Sequence, residues 1–407
     1  MATTANPRIL PRSTASRAGS VPWTIWTGVV AVTCASVGGV WDVSWHRSIG
    51  RDSFWTPAHM MIYLCGVLAG IVGLWLIYQC SAGRDPQLRA ASVEILGLRA
   101  PLGVFLAGWG GLAMLTSAPF DNWWHNAYGL DVQIVSPPHT VLILGVRSVA
   151  VGMIFLILAA MNRAAAVPAD AELAAASLSD PDPVLFRRLQ LLFLYLGGLS
   201  IHGQMFFLQE FTWDIMLHRA SAYIAMGIGL PALFAMIWQA SRFRWAASVS
   251  AAIYTVLLIA EILILPLFPA QPKLGPVFFP VTHFVPAKFP ILIVVPALAL
   301  DLLWQRTRAW KFWQTALVSG VVFTAVLLAV EWPFARFLMS HASQNRFFGT
   351  GYFQFSSRAT GPDRARVFFL PDSGVTLYFG LLRASLYAAI STWIGLLFGR
   401  WMRGVQR

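Results

Sequence analysis

The chain has 407 residues, of which 57% are hydrophobic and 11% charged, and it carries a net charge of +12. Soluble domains average about 45–50% apolar and about 25% charged residues, whereas here the apolar residues fall in runs of about 20, the length at which a helix crosses about 30 Å of hydrocarbon. That pattern excludes a soluble enzyme, a secreted disulfide scaffold and a disordered tail, and it argues against a transmembrane β-barrel, whose strands alternate over about 10 residues.

Arg8, Arg12 and Arg17 precede the first apolar run, near 23–45. The run begins as a signal peptide would, but it leads into Trp41-Asp42-Val43-Ser44-Trp45-His46 with no small-residue cleavage site, so it reads as a retained first helix. Further runs near 57–79, 101–120, 137–162, 190–212, 218–239, 246–268, 283–304, 313–335 and 375–399 bring the expected spans to ten. The fold class that follows is all-α, a polytopic integral membrane helix bundle in the lipid bilayer. Residues 1–162 form a four-helix membrane unit, 163–189 a flexible cytoplasmic linker rich in Ala, Asp, Pro and Ser, and 190–407 a six-helix unit with an outer loop at 336–374. The Pro-rich stretch from Pro266 to Pro280 has room for a re-entrant segment.

Alternate connections are basic: Arg84, Arg89 and Arg99; Arg163, Arg187 and Arg188; Arg242 and Arg244; Arg306, Arg308 and Lys311; Arg400, Arg403 and Arg407. The intervening ones carry few cations, among them Arg47, Arg51, Arg219 and Lys273. By the positive-inside rule both termini are cytoplasmic, as an even number of spans requires, in the cell inner (plasma) membrane. Basic residues scattered between hydrophobic segments make no continuous face for nucleic acid, which is not an expected partner. Cys34, Cys65 and Cys80 fall in or beside spans and read as packing residues. Trp41, Trp45, Trp55, Trp123, Trp124 and Trp213 cluster at outer helix ends, at the level of the membrane interface. Gly66, Gly70 and Gly73 offer a small-residue face for helix packing.

An internal repeat of period about 79 spans the first four helices, pairing helices 1 and 2 with helices 3 and 4. Its first copy reads Trp41-Asp42-x-x-Trp45-His46, then Gly50, Asp52, Pro57 and His59; its second reads Phe120-Asp121-x-x-Trp124-His125, then Gly129, Asp131, Pro137 and His139. Asp42 and His46 are four residues apart, so they share a helix face. Pro57 suits the first turn of the next helix and lets His59 close on the same point. Asp121, His125 and His139 repeat the arrangement. Two imidazoles and one carboxylate suit copper, zinc or iron(II) and poorly suit calcium or magnesium. For a single Asp-x3-His the ordinary alternative is a hydrogen-bonded pair steadying a helix end, or a proton relay. Two copies, each followed by Pro and a third His, favour a metal.

Asp42-Val43-Ser44-Trp45-His46, continuing through Arg51-Asp52-Ser53-Phe54-Trp55-Thr56-Pro57-Ala58-His59, resembles the C subunit of particulate methane monooxygenase and ammonia monooxygenase. In that family Asp-x3-His-x12-His holds a copper ion near the outer membrane face, and the resemblance carries this role to Asp42, His46 and His59. The family's second copper pattern is Asn-x3-His-x13-His; Asp121, His125 and His139 match its spacing with Asp for Asn, a change that favours Cu(II) or another divalent ion over Cu(I). The resemblance covers roughly residues 25–160. It implies oxidation of a small apolar or ammonia-like substrate with O2, copper as cofactor, and other membrane monooxygenase-type subunits as partners, a homo-oligomer being the alternative.

Other polar residues lie in or near the later spans. His202, Gln204, Glu210, Asp214, His218 and Arg219 form a second polar group, read chiefly as a network between helices 5 and 6. Glu261 falls mid-span and needs a partner or a proton. His283 reads chiefly as a loop contact, with a further metal ligand as the alternative, and lies just before Pro290, Pro296 and Asp301. Arg147 and Arg383 lie within spans as neutralising cations, and His341 reads as a solvated loop residue. No Gly-rich phosphate loop, GxSxG turn or Cys-x-x-Cys-His occurs, which weighs against an ATPase, an α/β-hydrolase or a c-type cytochrome. The leading expectation is thus a copper-dependent membrane monooxygenase or its subunit, with a non-catalytic copper-handling protein or a transporter as alternatives.

Overall fold

A computed structural model describes residues 19–50, 53–129, 136–165, 182–208, 211, 216–273, 281–286, 290–338, 340, 342 and 371–406. Arg8, Arg12, Arg17, Arg51, Asp52, Asp131, Glu210, Trp213, Asp214, His341 and Arg407 lie outside the described residues, as do 166–181 of the expected linker, 274–280 of the Pro-rich stretch and 343–370 of the expected outer loop.

The chain is an all-α bundle. Its helices are α1 (Trp23–Ser48), α2 (Pro57–Ser81), the short α3 (Pro86–Ala90), α4 (Leu102–Tyr128), α5 (Pro137–Ala164) and α6 (Pro183–Leu208). They continue as α7 (Ala220–Gly229), α8 (Pro231–Ser241), α9 (Ala246–Ile264), α10 (Val294–Arg306), α11 (Phe312–Leu338) and α12 (Gly374–Met402). Pro57, Pro137, Pro183 and Pro231 open their helices, where the missing N–H costs nothing. The only sheet among the described residues is a hairpin of β1 (Val93–Ile95) and β2 (Leu98–Ala100), turned by Leu96 and Gly97, both at positive φ.

Among the described residues, nine helical segments are long and apolar enough to cross a membrane, α7 and α8 together making one of them across Leu230. Large apolar side chains such as Leu74, Leu144, Val256 and Leu267 point outward, more than half exposed, which is the surface of a protein dissolved in lipid. One core cluster runs from Ile25 to Met402, and α6 joins the first helices to the later ones by packing against α1, α5 and α9.

The span expected over 283–304 differs from expectation. Its helix, α10, has 13 residues, a rise of about 20 Å against the about 30 Å of hydrocarbon. Before it, the described residues 281–286 and 290–293 are not helical. Ser44 Oγ donates to Val285 O at 2.7 Å and Val285 N donates to Ser48 Oγ at 2.8 Å, which fixes Val285 at the C-terminal end of α1. Deeper in the bundle, Tyr254 OH donates to Pro290 O at 2.9 Å, Thr255 Oγ1 to Ile291 O at 3.1 Å, and Leu292 N to the buried Glu331 Oε1 at 3.0 Å. At the other end Gln305 Nε2 donates to Arg244 O. For the described residues before α10, neighbouring side chains supply hydrogen bonds that an uninterrupted helix would make for itself. Apolar composition does not tell such chain from a helix, which is why the sequence pattern gave a plain span.

The two ends of the described chain lie together. Asp182 Oδ2 accepts from Gly19 N at 2.8 Å, and Asn162 Nδ2 donates to Met402 O and Val405 O at 3.0 and 2.8 Å. The ends of α1 and α4 and the starts of α2 and α5, which carry the repeated motif, lie at the opposite end.

Close backbone approach holds the motif helices. A Cβ on Gly110 would lie 2.6 Å from Gly145 O, and one on Gly145 would lie 2.8 Å from Gly110 O, so α4 and α5 touch at glycine. On the expected small-residue face of α2, Gly66 and Gly73 do meet α4, whereas a Cβ on Gly70 would meet nothing within 4 Å. Gly145→Val should therefore force α4 and α5 apart, cost about 1–3 kcal/mol and lower the thermal unfolding temperature in detergent by several degrees. Gly70→Ala should leave that temperature unchanged.

Candidate metal centre

Each half of the repeat uses one helix end and one helix start. Asp42 and His46 lie one turn apart near the end of α1, and His59 is the third residue of α2. His59 Nε2 lies 3.2 Å from Asp42 Oδ1, and His46 Nε2 lies 3.8 Å from Asp42 Oδ2. Asp121 and His125 occupy the same places on α4, and His139 the third position of α5. His139 Nε2 lies 3.4 Å from Asp121 Oδ1, and His125 Nε2 lies 3.5 Å from Asp121 Oδ2. In each set the three ligand atoms lie within 4.8 Å of one another. Ligands about 2.0–2.2 Å from an ion stand about 3.3–3.6 Å apart at tetrahedral to trigonal angles, so both sets have the spacing of a coordination sphere.

The imidazoles are also oriented for it. His59 Nδ1 faces Ser53 O at 3.0 Å and His125 Nδ1 faces Gly129 O at 3.1 Å. A carbonyl oxygen only accepts, so Nδ1 carries the proton and Nε2 turns a lone pair toward the carboxylate. A lone pair facing an anionic oxygen at this distance is repulsive, and a cation between them, a metal ion or a second proton, removes the repulsion. Two imidazoles converging on one carboxylate, with Asp42 Oδ1 buried and accepting no hydrogen bond among the described residues, fit a metal better than one shared proton. The carbonyl partners are the kind of outer contact that fixes a metal-ligating tautomer. Gly129 makes its own contact possible: at φ 88° it ends α4 so that its carbonyl turns back to His125.

The two sets differ in access. The His46 side chain is 44% exposed, whereas His59 is 13% exposed and the three groups of the second set lie between 19% and 27%. Tyr63 lies beside His59 and in turn meets Phe54, and Phe120, Trp123, Trp124 and Tyr128 form a cluster of mostly edge-on ring contacts at the end of α4.

The other polar residues go elsewhere. His202 lies in the core, with Nε2 3.3 Å from Glu261 Oε2 and Nδ1 hydrogen-bonded to Ser36 Oγ, so Glu261 has the partner its depth requires. Among the described residues, Arg147 meets no carboxylate: it donates to Gly203 O at 2.7 Å and to Gln204 Oε1 at 3.2 Å, and lies over the Phe207 ring. Arg383 is exposed on α12. His218 Nε2 donates to Trp332 O at 2.9 Å, and burial pulls its pKa below the ordinary imidazole range. Arg219 lies 3.7 Å from Asp372. His283 bonds Thr282 Oγ1 at 2.9 Å, a loop contact. Asp301 accepts from Ala247 N, Ser248 N and Ser248 Oγ, capping the first turn of α9. Glu331 and Asp372 escaped the sequence reading. Glu331 stands in an apolar run before Trp332-Pro333, and a carboxylate in such a run was the signal for it.

Comparison of the chain with protein-family models, with curated proteins and with solved structures gives no match.

His59→Ala leaves the first set two ligands, and His139→Ala does the same to the second. Metal titration of the stripped full chain in detergent should lose one equivalent with each substitution and both in the double variant.

Proposed function

We propose that this chain is a copper-binding integral membrane protein, similar in its first four spans to the C subunit of membrane-bound methane and ammonia monooxygenases, and that it takes part in oxidising a small apolar or ammonia-like substrate. The observation that carries the reading is the doubled set: Asp42, His46 and His59, and Asp121, His125 and His139, each with two imidazole nitrogens and a carboxylate oxygen at coordination spacing. Imidazole nitrogen suits copper, and both sets suit Cu(II), since the carboxylate offsets part of its charge; zinc and iron(II) accept the same ligands.

Copper bound there would supply O2 activation and the electron transfer of the oxidation. The chain's own part is to hold and tune. Asp42 and Asp121 set the local charge, and the Ser53 and Gly129 carbonyls hold the His59 and His125 rings with Nε2 turned inward.

The orientation rests on charge. Arg163, Arg188, Arg242, Arg244, Arg308, Arg400 and Arg403 lie at the end of the bundle opposite the metal sets. By the positive-inside rule that end is cytoplasmic, which puts both sets at the outer face of the inner membrane. A second reading, copper handling without oxidation, is favoured by the exposure of His46, through which an ion can exchange with the medium.

Copper content and electron paramagnetic resonance on the purified full chain test the proposal. Wild type should hold one or two coppers with nitrogen hyperfine structure, lost set by set in Asp42→Ala and Asp121→Ala, and membranes holding copper should consume O2 with a small apolar substrate or ammonia. Copper without turnover selects the handling role. A protein that purifies without copper after growth in it, or variants that bind as well as wild type, sinks the assignment.

A further inference from the structure

At the end opposite the metal sets, three separate connections converge on one cavity of about 600 Å³. Arg242 and Arg244 come from the turn between α8 and α9, Arg308 from the turn between α10 and α11, and Arg400 and Arg403 from the end of α12. Among the described residues, no Asp or Glu lines it. The nearest carboxylate on α10, Asp301, is already engaged by the first turn of α9.

The positive-inside rule accounts for arginines at this end of the spans. It asks only for number per connection, and gives no reason for five guanidinium groups from distant parts of the chain to border one hollow. Their crowding works against the fold: burial, and then the charges of Arg242, Arg400 and Arg308, pull the Arg403 guanidinium below its ordinary range. Arg403 is nevertheless held in place, donating through Nε to Gln239 O at 2.6 Å. Arg400 lies over the Phe312 ring, 5.8 Å from its centroid.

Trp238 and Trp304 pack together on the cavity wall, their rings 5.3 Å apart, and the Trp304 indole is satisfied on Ser319 Oγ at 2.9 Å. Five arginines, with no carboxylate among the described lining residues, match an acceptor-rich anion. Phosphate is the oxyanion best matched to the planar fork of arginine.

We propose that this cavity binds a phosphate-bearing anion, held by the guanidinium groups of Arg242, Arg244, Arg308, Arg400 and Arg403. Its place at the span ends is the level of lipid headgroups. Trp310 on the cavity wall and the nearby Trp401 are about half exposed there, as aromatic residues of an interfacial girdle are. A basic pocket between spans at the cytoplasmic surface is the form that headgroup sites take. The same chemistry is available from a soluble phosphate.

The test is binding to the full chain in detergent, read as a thermal shift and as retained lipid in native mass spectrometry. The probes are short-chain phosphatidylglycerol, phosphatidylcholine of the same chain length, and inorganic phosphate. Phosphatidylglycerol should stabilise wild type well beyond phosphatidylcholine, and Arg242→Gln with Arg403→Gln should abolish the difference. Arg308→Gln, at an exposed turn, should fold as wild type does and weaken phosphatidylglycerol binding several-fold. Stabilisation by inorganic phosphate as strong as that by the lipid, lost in the same variants, assigns the site to a soluble phosphate. The proposal falls if neither phosphate nor phosphatidylglycerol acts more strongly than phosphatidylcholine, or if the arginine variants bind as wild type does.

Discussion

Hydrocarbon offers no hydrogen bonds, so each polar group carried into it must find a partner within the chain. That constraint decides where this protein is regular and where it departs from regularity. Uninterrupted helices satisfy themselves. The described non-helical residues before α10 do not, and Ser44, Ser48, Tyr254, Thr255 and Glu331 reach their backbone from three other helices. Glu261 and His202 meet each other in the core for the same reason, and Asp301 is consumed by the first turn of α9. The two Asp–His–His sets escape the constraint by lying at helix ends, where partly exposed side chains meet carbonyls released from the helical ladder.

Helix ends also explain how one sequence device builds two sites. An Asp and a His one turn apart give two ligands on one face, and a proline-started helix returns a third from across a short connection. The geometry needs α1 against α2 and α4 against α5 at a fixed depth, and glycine contact between α4 and α5 supplies it for the second pair. Packing in the bundle and ligand spacing at its end are thus one problem. Charge divides the molecule along the same axis: carboxylates and imidazoles converge at one end, and guanidinium groups at the other.

Much of this was legible in the residues. The repeat of Asp42, His46 and His59 in Asp121, His125 and His139 could be read because helical spacing and Pro placement fix relative positions without any tertiary knowledge. The spans were legible from apolar runs, though not the break before Val294, because non-helical and helical backbone use the same apolar residues. Arg147 looked like a counter-ion, yet its acceptors are a carbonyl and an amide, which no spacing rule reveals. The arginines of the α8–α9 turn, the α10–α11 turn and the end of α12 were visible only as a topology signal. Their convergence is a property of the folded bundle, set by how α8, α10, α11 and α12 close on each other.

The central claim is that two imidazole nitrogens and one carboxylate oxygen form each metal sphere. X-ray absorption at the copper edge, on the full chain loaded with copper, tests it most directly. The account predicts nitrogen and oxygen scatterers at about 2.0–2.2 Å, with outer-shell scattering from two imidazoles per copper. A sulfur shell from Cys34, Cys65, Cys80 or a methionine, or a copper shell without imidazole scattering, would contradict it.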